Sequence, residues 1–254
     1  MVKLKKLDNM IVRDIRDLPL NSKPFIIMLP YAGGNAYSYK KITDCISDRY
    51  NVFCPELPGR GGLYNSDLLE NIDSIVDYLF NNWIVNLDVN TKYVIYGHSM
   101  GGIVAYTLVQ KMKYNCLQLP DRLLISGREA PSTKIENPIH ELSKEKFWEK
   151  LYVMGGMPTE LISNNELKDF FEPIIRADIK AIETYEYRRV GKLAIPITIL
   201  YGKDEDISIE SLYAWKKETI APVEFMEFEG NHFFINVYYR QIASCLIKSL
   251  NINI

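Results

Sequence analysis

Gly97-His98-Ser99-Met100-Gly101 fits the pattern G-x-S-x-G, in which a serine is pushed out at a sharp turn joining a strand to a helix. The chemistry of such a turn is nucleophilic. A serine hydroxyl is a poor nucleophile at neutral pH, however, so it needs a base within hydrogen-bond reach and a third group to orient that base. The chain has three histidines. His98 adjoins Ser99, but the backbone of the turn directs its side chain away from the hydroxyl, and it reads as a packing residue. His140 lies in polar surroundings and reads as a solvated surface histidine. His232 stands in Glu229-Gly230-Asn231-His232-Phe233-Phe234, directly after the last predicted strand, where loops at strand ends collect active-site groups; it is the candidate general base. The acid should follow another strand end, and Tyr201-Gly202-Lys203-Asp204-Glu205-Asp206 offers three carboxylates there. One of them faces the imidazole on this reading and the others are solvated. The amide of Met100, first after the nucleophile, is the expected first donor of an oxyanion hole, and the turn Tyr31-Ala32-Gly33-Gly34 is placed to supply the second. Each such donor is worth on the order of 10²- to 10³-fold in rate.

The elements that must hold these groups follow from hydrophobic pattern. Tyr93 to Tyr96 is an apolar, β-branched and aromatic run ahead of the turn, and Ile103, Val104 and Ala105 follow with helical spacing, giving strand, turn, helix. Glycines two residues either side of Ser99 are required because a Cβ there would collide with a neighbouring strand or helix. Phe25 to Leu29 is a continuous apolar run, the mark of a strand buried on both faces of a parallel sheet, and the stretch after it reads as helix to about Asp48. Asn51 to Cys54, Arg122 to Ser126, Ile197 to Tyr201 and Val223 to Phe228 are further strands. Ile72, Ile75, Val76, Leu79, Phe80 and Trp83 recur at three- and four-residue steps as an amphipathic helix. Residues 131 to 192 carry no strand pattern and form a candidate helical lid. One helix starts near Ser143 as N-cap, and a second is opened by Pro173, since proline suits a first turn. Ile209 to Glu218 and Asn236 to Leu250 close the chain as helices, and residues 1 to 22 read as an exposed or weakly ordered lead-in. Strands alternating with helices imply a mostly parallel sheet covered on both faces. The order nucleophile, acid, histidine is that of the α/β-hydrolases.

A chain of 254 residues can bury one sizeable core, so a single domain of residues 1–254 with the lid of residues 131–192 inserted in it is expected. Thirty Lys+Arg against thirty-two Asp+Glu leave a net charge of −2, which argues against nucleic acid, and the balance points to no membrane surface. No apolar run approaches the roughly 18 residues of a membrane span, and Met1 to Lys6 lacks the core of a signal peptide, so a cytoplasmic location is expected. Cys45, Cys54, Cys116 and Cys245 have no metal-site or C-x-x-C spacing and read as reduced, mostly buried thiols. No metal cluster, Walker loop or dinucleotide fingerprint is present, so no cofactor is implied.

Together the motifs resemble the type II thioesterases that accompany nonribosomal peptide and polyketide synthetases. Leu29 to Gly34, Glu56 to Arg60, Gly97 to Gly102, Ser126 to Pro131, Arg176 to Ile179 with Glu183 to Tyr185, and Gly230 to Phe234 are similar to blocks of that family, and the likeness runs from about Phe25 to Leu250. The chain departs from the pattern at Ile207, where proline is common, and at Asn231, where glycine is common. The resemblance implies an α/β-hydrolase fold and a Ser-His-Asp triad of Ser99, His232 and Asp206, with Asp204 as the alternative acid, and oxyanion donors at Met100 and Ala32. It implies a monomeric serine thioester hydrolase with no cofactor of its own, acting on acyl groups carried on the phosphopantetheine of carrier-protein domains. Two other readings stay open: a medium-chain thioesterase that releases product, and a non-catalytic carrier-protein binder.

Overall fold

The computed structural model describes residues 11–12 and 23–251, apart from 47–48, 86, 88–90, 134, 136, 156–160, 162 and 189. Seven strands are described: β1 (Ile11–Val12), β2 (Phe25–Leu29), β3 (Asn51–Phe53), β4 (Tyr93–His98), β5 (Arg122–Ser126), β6 (Ile197–Gly202) and β7 (Val223–Phe228). They form one sheet in the order β1-β3-β2-β4-β5-β6-β7, with every neighbouring pair parallel. Among the described residues the α-helices include α1 (Lys40–Thr43), α2 (Ile72–Leu79), α3 (Met100–Tyr114), α4 (Lys144–Met154), α5 (Asn165–Glu183), α6 (Ile209–Tyr213) and α7 (Tyr239–Asn251).

The two-residue period of a strand explains why the runs are apolar throughout. Phe25, Ile27 and Leu29 of β2 point into a core shared with α2, α3, α4 and α5, while Ile26 and Met28 point into a second core shared with α1 and α7. Each such buried side chain contributes roughly 1.5–3 kcal/mol. Helix α3 is buried around most of its circumference, from Met100 to Met112, because it lies between the sheet and the helices that cover it. Register brings the carboxyl ends of the central strands level: Leu29 pairs with Gly97, His98 with Ser126, Ser126 with Leu200 and Gly202 with Phe228. The loops after β2, β4, β5, β6 and β7 therefore leave the sheet along one edge.

Several expectations are corrected. Ile11 and Val12, within the expected lead-in, pair with Val52 and Phe53 as an edge strand; the rest of residues 1–22 lies outside the described residues. The stretch after β2 is helical only over Lys40–Thr43. Before it, Asn35 and Ser38 spend their side chains on the amides of Tyr37 and Asn35, which holds turns in place of a helix. Ser143 does precede α4, without a side-chain bond to the helix amides. Pro173 does not open α5 but sits inside it, exposed, while the Asn164 side chain caps the start by accepting from the Leu167 amide. The helix runs through its proline because Ile174, Ile175, Ala177, Asp178, Ile179 and Ile182 bury one continuous face. Of the cysteines only Cys54 is buried, and Cys116 is exposed. Among the described residues no helix is long and apolar enough to cross a membrane.

Candidate active site

Ser99 separates β4 from α3 with φ 53° and ψ −115°, a backbone conformation that costs a non-glycine residue about 1–3 kcal/mol. The surrounding packing enforces it. A Cβ on Gly97 would come within 2.0 Å of the Gly101 carbonyl oxygen, and one on Gly101 within 2.3 Å of the Leu29 carbonyl oxygen on the neighbouring strand. The Ser99 amide donates to the Ser126 carbonyl at 2.8 Å, tying the turn to the end of β5.

His232 follows β7 with its side chain 16% exposed, and its Nδ1 lies 2.6 Å from Oε1 of Glu205. Facing a carboxylate oxygen, Nδ1 carries its hydrogen, so that in the neutral ring Nε2 is the nitrogen with the lone pair. The pair forms because the loops after β6 and β7 are pressed together. Lys203 donates its amide to Phe228 O at 2.8 Å and Asp204 to Gly230 O at 3.0 Å, and Gly202 is so close to Gly230 that a Cβ would sit 2.5 Å from its carbonyl oxygen. Glu205 folds back over this junction, its Oε2 accepting the Gly202 amide at 2.6 Å. Its side chain is 2% exposed. The acid expected at Asp206, or alternatively Asp204, is thus not the one beside the imidazole: both aspartates are exposed, one on either side of Glu205 in the turn. A glutamate, longer by one methylene, reaches the imidazole from inside the turn. Gly127, with φ +59°, leaves the room, since a Cβ there would lie 3.1 Å from Glu205 Oε1 and 2.6 Å from the His98 ring.

His98 is fully buried, as expected of a packing residue, and its ring centroid is 4.7 Å from that of His232. This places the His232 imidazole beside the residue next to Ser99. His98 Nδ1 meets Ser126 Oγ at 2.9 Å, and Ser126 Oγ meets the Tyr96 hydroxyl at 2.8 Å. Burial, and then the neighbouring His232, hold the His98 pKa well below the usual histidine value. It stays neutral, and so does not oppose a positive charge arising on His232. Tyr31, from the loop after β2, stands edge-on to His98 at 5.7 Å and to Phe233 at 5.5 Å, so one aromatic cluster joins three of the loops.

The turn after β2 is closed by the Gly34 amide donating to Tyr31 O at 2.8 Å, and Gly33 has φ +73°. The amides of Ala32 and Met100, the two expected oxyanion donors, donate to no other group among the described residues. The neighbouring Gly33 amide does, to Oδ2 of Asp178 at 2.7 Å. Asp178 lies on α5 and is fully buried in a two-pronged ion pair with Arg60, at 2.6 and 2.7 Å. Both residues were visible as motif members, yet nothing in their spacing revealed the pair. His140, expected on the surface, is instead mostly buried at 14% exposure. Its Nδ1 lies 2.5 Å from Glu183, whose carboxylate also accepts the amides of Ile139 and His140, so it pins the chain ahead of α4 to the end of α5.

The arrangement is an elbow serine, a histidine oriented by a buried carboxylate and a turn with an uncommitted amide, a set suited to acyl transfer. Comparison with known proteins agrees. A family model described as "Thioesterase domain" matches residues 24–250. The gramicidin S biosynthesis protein GrsT of Aneurinibacillus migulanus is 26% identical over 229 residues, covering 89% of this chain and 89% of that protein. Among solved structures, ClbQ from the colibactin NRPS/PKS pathway superposes with a TM-score of 0.84 at 28% identity, covering 91% of this chain and 98% of ClbQ. BorB, a type II thioesterase from the borrelidin biosynthetic cluster, superposes with a TM-score of 0.82 at 31% identity, covering 90% of this chain and 93% of BorB. With an all-parallel sheet, a strained serine elbow and these relatives, the chain belongs to the thioesterase family of α/β-hydrolases, within the type II thioesterases of nonribosomal peptide and polyketide synthetase clusters.

Proposed function

We propose that the protein is an editing thioesterase that hydrolyses acyl groups from the phosphopantetheine arm of carrier-protein domains, clearing stalled or misprimed synthetases. The observation that carries this reading is the Glu205–His232 pair set beside the Ser99 elbow. Ser99 Oγ attacks the thioester carbonyl as its proton passes to His232 Nε2. The carbonyl oxygen gains negative charge and is held by the Met100 and Ala32 amides, aided by the positive end of α3. The C–S bond then breaks and the pantetheine sulfur takes the proton from His232. A water attacks the acyl-serine in the same way, its proton going to His232 and from there to Ser99 as the free acid leaves. Glu205 steadies the imidazolium in both halves.

In this reading α4 and α5, in the insertion of residues 131–192, are a lid on a single domain of residues 1–254 that works as a cytoplasmic monomer against its synthetase partner. A cavity of about 410 Å³ between the turn after β2 and α5 is lined by Gly33, Arg60, Tyr64, Phe170, Phe171 and Ile174. That aromatic lining favours a second reading, release of medium-length acyl chains, and competition between short- and medium-chain acyl carriers separates the two. A larger hollow of about 590 Å³ by Tyr106, Gln110 and Tyr185 is lined by none of Ser99, Glu205 and His232. The test of the function itself is Ser99→Ala with acetylated carrier protein. The variant should fold and release no thiol, and release at the wild-type rate would refute the assignment.

A further inference from the structure

The lid helix and the oxyanion turn share one buried carboxylate. Asp178 and Arg60 are 0% and 4% exposed, and their side chains meet at 2.6 and 2.7 Å across 118 residues of sequence. Asp178 Oδ2 also accepts the Gly33 amide at 2.7 Å, and the same guanidinium nitrogen that meets Oδ2 donates to Gly34 O at 3.2 Å. The helix rests directly on the turn, since a Cβ on Gly33 would stand 2.8 Å from Ile175 Cγ1. Gly33 is the third residue of the Tyr31–Gly34 turn and has the left-handed φ that a type II turn demands there.

A buried ion pair is a weak device for stability, because removing two charges from water offsets most of their attraction. Among the described residues this pair even leaves the Arg60 Nε buried without an acceptor. What it supplies is direction. The carboxylate takes the Gly33 amide, which fixes the orientation of the peptide between Ala32 and Gly33, and the guanidinium holds the end of the turn through the Gly34 carbonyl. The Ala32 amide lies one peptide earlier, in the unit whose Tyr31 carbonyl accepts the Gly34 amide at 2.8 Å, and is left to a ligand.

We infer that Asp178, steadied by Arg60, is a positioning residue for the oxyanion hole, so that α5 and the Ala32 amide form one unit and the hole is complete only when this helix is seated. The inference rests on the hydrolase reading above. It separates α5 from a freely swinging lid, because lifting the helix would break the bond that sets the turn.

The test uses Asp178→Asn and the double variant Asp178→Asn/Arg60→Gln in the full chain, checked for fold by circular dichroism. Two inhibitors are compared. An acyl trifluoromethyl ketone is attacked by Ser99, forming a C–O bond while the carbonyl pair moves onto oxygen and the serine proton passes to His232; that oxyanion occupies the hole. The matching thioether without the carbonyl binds without adding. Misplacing a catalytic group by about 1 Å costs on the order of 10²-fold, so kcat should fall about 10- to 100-fold, with KM for the acyl carrier little changed. The ketone's inhibition constant should rise by the same factor, and the thioether's should not move. Unchanged kcat in a folded variant would overturn the inference, as would parallel weakening of both inhibitors, which marks a displaced substrate wall. Failure of even the double variant to fold would also overturn it, since a pair whose role is positional can be replaced as a pair. The inhibitor comparison needs no carrier protein, so it stands or falls separately from the choice of thioester substrate.

Discussion

Oε1 of Glu205 lies 2.6 Å from Nδ1 of His232, while the two aspartates that flank Glu205 in sequence face solvent. The glutamate therefore sets the tautomer of His232, the proposed base. Glu205→Gln, which can present an amide N–H to Nδ1, should lower kcat by up to about 10⁴-fold, the loss seen when a triad carboxylate becomes an amide. Asp206→Asn and Asp204→Asn should stay within about 2-fold of wild type, as surface changes do. Steady-state hydrolysis of an acyl thioester by the three variants checks this, and a large loss in Asp206→Asn alone would return the role to that aspartate.

Ser99 holds a conformation that glycine adopts freely. Relieving about 1–3 kcal/mol of strain outweighs the roughly 0.5–1 kcal/mol that glycine costs in chain entropy. Ser99→Gly should thus be inactive yet more stable than Ser99→Ala by about 1 kcal/mol in urea unfolding. Equal stabilities would show that the turn is unstrained.

Gly101 has a strand carbonyl 2.3 Å from where a Cβ would sit, whereas Gly62 has nothing within 4 Å. Gly101→Ala must push β2 away from α3, and should destabilise the fold by more than about 3 kcal/mol or prevent soluble expression. Gly62→Ala is the control and should leave the melting temperature nearly unchanged.

His98 has a depressed pKa in the fold, from burial and then from His232. The unfolded chain takes up a proton near pH 6.5 that the folded chain refuses. Above that pH His98 contributes no pH dependence; below it, stability falls by at most about 1.4 kcal/mol per pH unit. Urea unfolding at pH 7.5 and 5.5 should show a larger loss for wild type than for His98→Asn, and equal losses would contradict the assignment.

Pro173 is exposed within α5, where it cannot donate to the Asp169 carbonyl. Interior proline costs a helix about 3 kcal/mol, part of which is returned through a stiffer unfolded chain. Pro173→Ala should raise the melting temperature, by the equivalent of about 1–2 kcal/mol. A lower melting temperature would mean that the proline shapes the buried face of the helix.

The local parts of this protein were written in its residue order. β2, β5 and β7 have the ends read from the sequence; β2 is apolar throughout because it is buried on both faces, while β7, at the edge of the sheet, alternates with Glu224 and leaves Met226 and Glu227 exposed. The elbow followed from Gly97, Ser99 and Gly101, whose spacing answers a steric demand within one turn, and His232 was identified by standing just past a strand. Tertiary structure decided the rest. Which of three adjacent carboxylates meets His232 depends on how the loops after β6 and β7 bond to each other and on the space left by Gly127, 78 positions before Glu205. Whether Pro173 begins a helix or lies within one was settled by Asn164 and by the long apolar face beyond it. His140 looked solvated because its partner, Glu183, is 43 residues away. Asp178 and Arg60 were both in view as motif residues, but an ion pair spanning 118 residues has no period and no spacing to betray it. Short-range sterics and hydrophobic period act between neighbours in the chain, whereas a hydrogen bond between distant side chains exists only once the fold has brought them together.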